Sequence, residues 1–131
     1  MWAGFYLLGA RNYARDVVII QSEMVAAAKW VAANTAPGDL VAAHDIGAMG
    51  YFGQRDLVDL AGLVSPEVIP FIRDEDRLAD YLDQRGAAVL VTFPGWYDRL
   101  TSGREVLYAT GGKAAPAGAG GAIMNGAGAP P

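Results

Sequence analysis

Two acidic residues stand where short apolar segments are expected to end as strands, and each precedes a turn of small residues. Asp45 follows the segment Leu40–His44, and Asp59 lies near the end of Asp56–Leu60. In open α/β sheets, ligands bind outside the carboxyl ends of the parallel strands. Asp45 and Asp59 are therefore candidate ligand-binding groups, whose oxygens could accept hydrogen bonds from a ligand or face a cation.

Each carboxylate also has a structural alternative. Asp45 could accept backbone N–H groups of the turn that follows it, as Asx residues commonly do. Asp59 could cap the turn at Ala61–Gly62, or form an ion pair with Arg55 or Arg73. The sequence favours the structural roles and leaves the ligand-binding roles open.

The loop after the first strand carries regularly spaced glycines, Gly47-x-x-Gly50-x-x-Gly53. This spacing is not the dinucleotide-binding G-x-G-x-x-G, and no Gly-Lys-Ser/Thr sequence indicates a P-loop. Asp59 also follows the glycines more closely than the roughly 20 residues typical of a ribose-binding acid. Gly47, Gly50 and the adjacent Tyr51 stay candidate ligand contacts, because bare loop amides can bind phosphate. The alternative is that these glycines supply positive φ and close chain approach.

Two aromatic residues, Trp96 and Tyr97, follow the most apolar strand through Pro94-Gly95. They are expected on the same sheet edge as Asp45 and Asp59. Exposed rings beside carboxylates predict a carbohydrate or lipid-headgroup surface. The rings could equally cover the core or dock on another domain.

A complete catalytic set is not visible. His44 is the only histidine and has no nucleophile at a suitable spacing. A zinc site is not expected from one histidine and no cysteine, and Asp74-Glu75-Asp76 fits a helix N-terminus better than a cation site. We therefore expect no catalytic residue, metal or cofactor. The net charge of −4, with scattered basic residues, argues against nucleic-acid binding.

The first predicted element is a helix over Tyr13–Asn34, ended by Pro37-Gly38. Its expected buried face follows the i, i+3, i+4, i+7 pattern and comprises Ala14, Val17, Val18, Met24, Val25, Ala28, Val31 and Ala32. Arg15, Ser22, Glu23 and Lys29 fall away from that face.

The second half of the chain predicts further helices and strands. Ser65 and Asp74 are expected N-caps, with Pro66 at the first helical position and Gly86 ending the helix that Asp74 begins. The expected strands are Leu40–His44, Asp56–Leu60, Ala87–Phe93 and Arg104–Ala109.

These elements predict a small three-layer α/β domain with a mostly parallel, Rossmann-like sheet at residues 13–110. An apolar stub at 1–12 precedes it, and a Gly/Ala/Pro-rich tail at 111–131 is expected to be disordered or a linker. The apolar run Trp2–Ala10 is shorter than the roughly 20 residues that span a bilayer. It is either a core segment, which composition favours, or the end of a transmembrane helix.

Several stretches together resemble a known family. The chain is similar over about residues 11–100 to bacterial multi-pass membrane glycosyltransferases of the GT-C class, which resemble the dolichyl-phosphate-mannose protein mannosyltransferases. The stretches are Trp30, Asn34-Thr35, Pro37-Gly38-Asp39, Val41–Ala48, Gly50-Tyr51-Phe52, Val58–Leu63, Val64-Ser65-Pro66, Val91–Pro94 and Trp96-Tyr97.

The resemblance implies a small soluble domain that follows the last transmembrane helix on the extracytoplasmic side of the cell membrane. In that family the activity uses a polyprenyl-phosphate sugar and an acidic residue in an early extracytoplasmic loop. This chain lacks that loop, so no catalytic residue can be assigned here. The implied role is a non-catalytic accessory domain that docks on the transmembrane part of the same protein or helps to bind the acceptor.

Two further expectations follow from the resemblance. The apolar stub becomes the end of the final membrane helix, and a sugar or lipid-linked sugar becomes the expected ligand of the strand-end loops. The alternative from a different class is a free-standing α/β module that binds a nucleotide or sugar through the same loops. A stand-alone enzyme is the weakest of the three hypotheses.

Overall fold

The computed structural model describes residues 2–110 and 122–125. It begins with a long helical run, in which α1 (Trp2–Ile20) passes through a π-helical turn (Gln21–Val25) into α2 (Ala26–Asn34). Residues 2–12 of the predicted apolar stub therefore belong to this helical run. At its end, the hydroxyl and the backbone N–H of Thr35 both donate to the carbonyl of Val31, at 2.7 and 3.1 Å.

Only the second half of this run packs against the sheet. Ala28 and Val31 are fully buried, whereas Val17 and Val18, which were predicted to be buried, are 37% and 48% exposed. The prediction was wrong there because the strands lie against α2, and no described side chain of α1 belongs to the core.

The prediction for Glu23 was wrong in the opposite sense. Periodicity assigned Glu23 to the solvent face, but the residue is 1% exposed. Glu23 lies in the π-helical turn, four and eight residues before the buried Ala27 and Val31. This spacing puts the three residues on the same side of the helix.

The strands are β1 (Leu40–Ala43), β2 (Asp56–Asp59), β3 (Ala87–Thr92), β4 (Val106–Ala109) and β5 (Ala122–Asn125), in the order β2-β1-β3-β5-β4. β1 pairs in parallel with β2 and β3, which confirms a parallel sheet in this half. β5 pairs antiparallel with β3 and β4. Residues 122–125 of the Gly/Ala/Pro-rich tail, which was expected to be disordered or a linker, form this strand; the rest of that tail lies outside the described residues.

The connections hold the remaining helices. α3 (Ile46–Ala48) and a π-helical turn (Met49–Gly53) join β1 to β2, a 3-10 helix (Pro66–Phe71) and α4 (Glu75–Arg85) join β2 to β3, and α5 (Asp98–Thr101) follows β3. Both predicted ends of α4 are confirmed: Asp74 Oδ1 accepts the N–H of Arg77 at 3.1 Å, and Gly86 adopts φ +69°.

The predicted N-cap position of Ser65 is confirmed, with Pro66 directly after it, but the side chain does not cap the helix. Ser65 makes no side-chain capping bond to the 3-10 helix, because its hydroxyl accepts the backbone N–H of Asp59 at 3.0 Å. Pro70 lies inside the segment, which forms a 3-10 helix.

Helices cover both faces of the sheet. Side chains of one face, including Val41, Ala43 and Val89, pack with Ala28 and Val31 of α2. The opposite face is led by Ala42, Val58 and Leu90, which pack with Leu78 and Leu82 of α4. The alternation of Val41, Ala42 and Ala43 between the faces is the period of two that a strand requires. No helix in residues 2–110 has the length and hydropathy needed to cross a membrane.

Candidate ligand-binding site

The chain leaves the two central parallel strands in opposite directions. After β1 it crosses to the face covered by α2, where Ile46 and Met49 pack. After β3 it crosses to the other face, where Tyr97 and Leu100 join the core around α4. Such a divergence between neighbouring parallel strands opens a crevice at their carboxyl ends, where ligands of α/β sheets bind.

A groove of about 490 Å³ lies at this divergence. It is lined by His44 after β1 and by Trp96 and Tyr97 from the loop after β3. The other side is formed by Ile72 and Arg73, which precede α4, and by Glu75 at its start. The predicted pair Trp96 and Tyr97 therefore lies at the predicted sheet edge.

The aromatic side chains of His44, Trp96 and Tyr97 line the groove and contact one another. His44 Nδ1 lies 2.6 Å from Tyr97 Oη. The His44 ring meets the Trp96 ring edge-on, with centroids 4.7 Å apart, and Trp96 also packs against Phe93 at 4.9 Å. Tyr97 is buried, whereas Trp96 is 52% exposed. Tyr97 thus belongs to the core and holds His44, while Trp96 presents a ring surface to the groove.

The Tyr97 hydroxyl keeps its proton over the whole physiological range. Burial, followed by the negative charges of Asp59 and Glu75, raises the pKa of Tyr97 to about 12. None of the other described residues hydrogen-bonds to this hydroxyl, so we assign it as the donor to Nδ1 of a neutral His44. His44 Nε2 then carries a hydrogen, and it also carries one when the imidazole is protonated.

Charged residues line the side formed by α4. Glu75 Oε2 accepts the backbone N–H groups of Arg99 and Leu100, at 2.8 and 2.9 Å. This carboxylate therefore ties the start of α5 to the start of α4, and fixes the loop that carries Trp96. Arg73 is exposed and makes no ion pair with another described residue.

Asp59 is held inside the turn that follows β2. It is fully buried, and its Oδ1 and Oδ2 accept the N–H groups of Ala61 and Val64 at 2.8 and 2.9 Å. The arginine alternative does not apply to Arg55, whose guanidinium donates to carbonyls at the end of α2. The geometry therefore favours the turn-capping role over ligand contact.

Asp45 lies on the other side of the divergence. Its Oδ1 accepts the N–H of Gly47 at 3.4 Å, as an Asx cap would. It also lines a cavity of about 30 Å³ together with the buried Glu23 and Thr92, a volume that suits about one or two water molecules. Asp45 is exposed, so both roles predicted for it fit its position.

Gly50 and Tyr51 lie apart from the groove. They belong to the π-helical turn that returns the chain to the start of β2. Tyr51 is 77% exposed and packs edge-on against Phe52 at 4.7 Å. Neither residue lines the His44–Trp96 groove.

His44, Arg73 and Glu75, which line the groove, and Glu23, which lines the smaller cavity, were not among the predicted ligand contacts. His44 directly precedes Asp45 at the strand end, which was a usable signal. Arg73 and Glu75 reach the edge only through the path of the chain between β2 and β3. Among the residues with described positions, no group of three or more His, Asp or Glu side chains could hold a metal ion.

Comparison with known proteins identifies the family. The model of a domain of unknown function, DUF8728, matches residues 11–122, so the chain belongs to that family. No curated protein matches the chain, and no solved structure matches it.

Proposed function

We propose that this member of the DUF8728 family is a non-catalytic accessory domain of a polyprenyl-phosphate-sugar-dependent membrane glycosyltransferase. It would sit on the extracytoplasmic side of the cell membrane, dock on the transmembrane part of the same protein, and help to bind the acceptor at the carboxyl edge of its sheet. The sequence resemblance over residues 11–100 is the origin of this proposal.

The observation that carries the docking role is the exposure of α1. Tyr6, Leu8 and Tyr13 are 70%, 66% and 72% exposed, and Val18 and Ile20 are 48% and 44% exposed. Tyr6, Tyr13 and Ile20 are spaced by seven residues and so share one face of the helix. An exposed apolar face of this kind commonly marks an interaction surface. A transmembrane region of the same protein is the partner that the resemblance implies for this helix.

The sheet supports the acceptor-binding role. Its parallel strands in the order β2-β1-β3, with helices on both faces, support a three-layer, Rossmann-like architecture, which we include in the proposal. In such sheets the crevice between the first and third strands is the usual ligand position. The groove with His44 and Trp96 occupies this place.

Immunodetection in cells of the source organism tests the proposal. An antibody raised against the purified chain should detect a membrane-bound protein far larger than 13.7 kDa, released by detergent but not by carbonate. In spheroplasts, external protease should remove the epitope. A band near 13.7 kDa in the membrane-free extract, or an epitope protected from external protease, would contradict the proposal.

The groove also favours a second candidate, a free-standing module that binds a nucleotide or sugar. The groove is formed by the domain itself, so binding there requires no other segment. In this case the same antibody would detect the small soluble species, and ligand binding would stabilise the isolated chain against unfolding.

A further inference from the structure

We propose that the groove at the carboxyl ends of β1 and β3 binds an acidic sugar, whose ring lies on Trp96 and whose carboxylate or phosphate is held by Arg73 and His44. The inference does not depend on the membrane-enzyme assignment, because it rests on groove residues alone. The two proposals can therefore fail separately.

The ring contact rests on the position of Trp96. The residue is 52% exposed, although its ring packs edge-on with His44 and tilted against Phe93. These two neighbours restrict the indole, so little conformational freedom is lost when a ligand covers it. A pyranose ring has one face of C–H groups that suits a flat aromatic surface, and its hydroxyl groups stay in water at the rim.

The anion contact rests on the guanidinium of Arg73 and on Nε2 of His44, neither of which donates to an acceptor among the described residues. Arg73 is exposed and makes no ion pair among the described residues. A guanidinium presents a planar fork that matches a carboxylate or phosphate. When Tyr97 donates to Nδ1 of the neutral ring, the opposite nitrogen of His44, Nε2, carries the hydrogen and can donate to a ligand. Both residues line the groove with Trp96.

The carboxylate of Glu75 sets the selectivity of the groove. One of its oxygens is occupied by the N–H groups of Arg99 and Leu100, which partly offsets its charge towards a ligand. An anion placed deep beside Glu75 would still be repelled. The favoured ligand therefore carries its anion at one end, at Arg73, and neutral hydroxyl groups that can donate to Glu75 at the other.

A nuclear magnetic resonance titration of the complete chain tests this. The probes are glucuronate, glucose 6-phosphate, glucose and inorganic phosphate, each raised to about 20 mM, a range that detects millimolar binding. The signal to follow is the indole N–H of Trp96. We expect both acidic sugars to move it, with about tenfold higher affinity than glucose, since a charge-assisted hydrogen bond typically changes affinity by that order.

Two variants and a control locate the contacts. Arg73→Ala should lower the affinity for both acidic sugars about tenfold and remove their advantage over glucose. Trp96→Ala should abolish sugar binding, which is then followed at the backbone N–H of Arg73. Arg15→Ala removes the same charge from the exposed surface of α1 and should change nothing. Backbone spectra of each variant establish that the fold is retained.

Three results would overturn the inference. The first is that neither acidic sugar moves the Trp96 signal. The second is that glucose binds as tightly as the acidic sugars. The third is that Arg73→Ala binds the acidic sugars as tightly as the unmodified chain does. A fourth is equally decisive: inorganic phosphate binds as tightly as glucose 6-phosphate and keeps its affinity in Trp96→Ala. The groove would then be a simple anion site without ring recognition.

Discussion

Replacing Asp59 by alanine should destabilise the domain strongly. The carboxylate is fully buried and accepts the N–H groups of Ala61 and Val64 at 2.8 and 2.9 Å. Hydrogen bonds to a charged group contribute about 1.5–3 kcal/mol each, so the pair contributes about 3–6 kcal/mol. Removal of a buried charge also recovers part of its desolvation cost. We therefore expect the free energy of unfolding to fall by about 2–4 kcal/mol.

Urea denaturation of Asp59→Ala measures this change, provided that the slope with denaturant stays constant. Asp59→Asn should give an intermediate loss, because the amide keeps one acceptor oxygen and turns a donor towards the second N–H. Asp56→Ala is the matched control, since Asp56 is exposed at the start of the same strand and should change stability by less than about 0.5 kcal/mol. Equal stability of Asp59→Ala and the unmodified chain would refute the turn-capping role and restore the ligand-binding alternative.

Two further substitutions test the turns and the His44–Tyr97 pair. Gly62→Ala should lower the free energy of unfolding by more than Gly86→Ala. Both glycines have positive φ, but only at Gly62 would the added Cβ clash, at 2.8 Å from a carbon of Ile69. We expect about 1 kcal/mol for Gly86→Ala and at least about 2 kcal/mol for Gly62→Ala, and equal losses in urea denaturation would contradict this. The raised pKa of Tyr97, about 12, means that the folded state holds this proton more tightly, so stability should fall as pH rises from about 10 towards 12. Urea denaturation at several pH values in this range should show that the free energy of unfolding falls less steeply with pH in Tyr97→Phe. The same pH dependence in both proteins would argue against the raised pKa of Tyr97.

The strands and the second half of the helical run were predictable because their signals are local. Continuous apolar residues marked Ala87–Thr92, and Asp74 and Gly86 each fulfil a capping rule that depends only on neighbouring residues. The parallel half of the sheet followed from the alternation of strands and helices. These elements required no knowledge of distant contacts.

The exceptions arise where distant parts of the chain decide. Periodicity showed an apolar stripe through Val17 and Val18, but could not show that the sheet lies only against α2. The burial of Glu23 was not expected, because a charged side chain is normally assigned to the solvent side of a helix. The hydroxyl of Ser65 accepts the backbone N–H of Asp59 across the turn, so it does not cap the 3-10 helix.

The candidate site was predictable in part for the same reason. Trp96 and Tyr97 follow a clear strand, so their edge of the sheet could be inferred. The hydrogen bond between His44 and Tyr97 joins residues far apart in sequence. Arg73 lines the groove only because the chain between β2 and α4 brings it to His44 and Trp96, which are far from it in sequence.

The most direct test of the proposed function is the nucleotide sequence upstream of the Met1 codon in the source genome. The account predicts that the reading frame continues upstream and encodes several apolar segments of about 20 residues, each able to span a bilayer. A stop codon in frame, followed by a ribosome-binding site immediately before Met1, would contradict the assignment to a membrane glycosyltransferase.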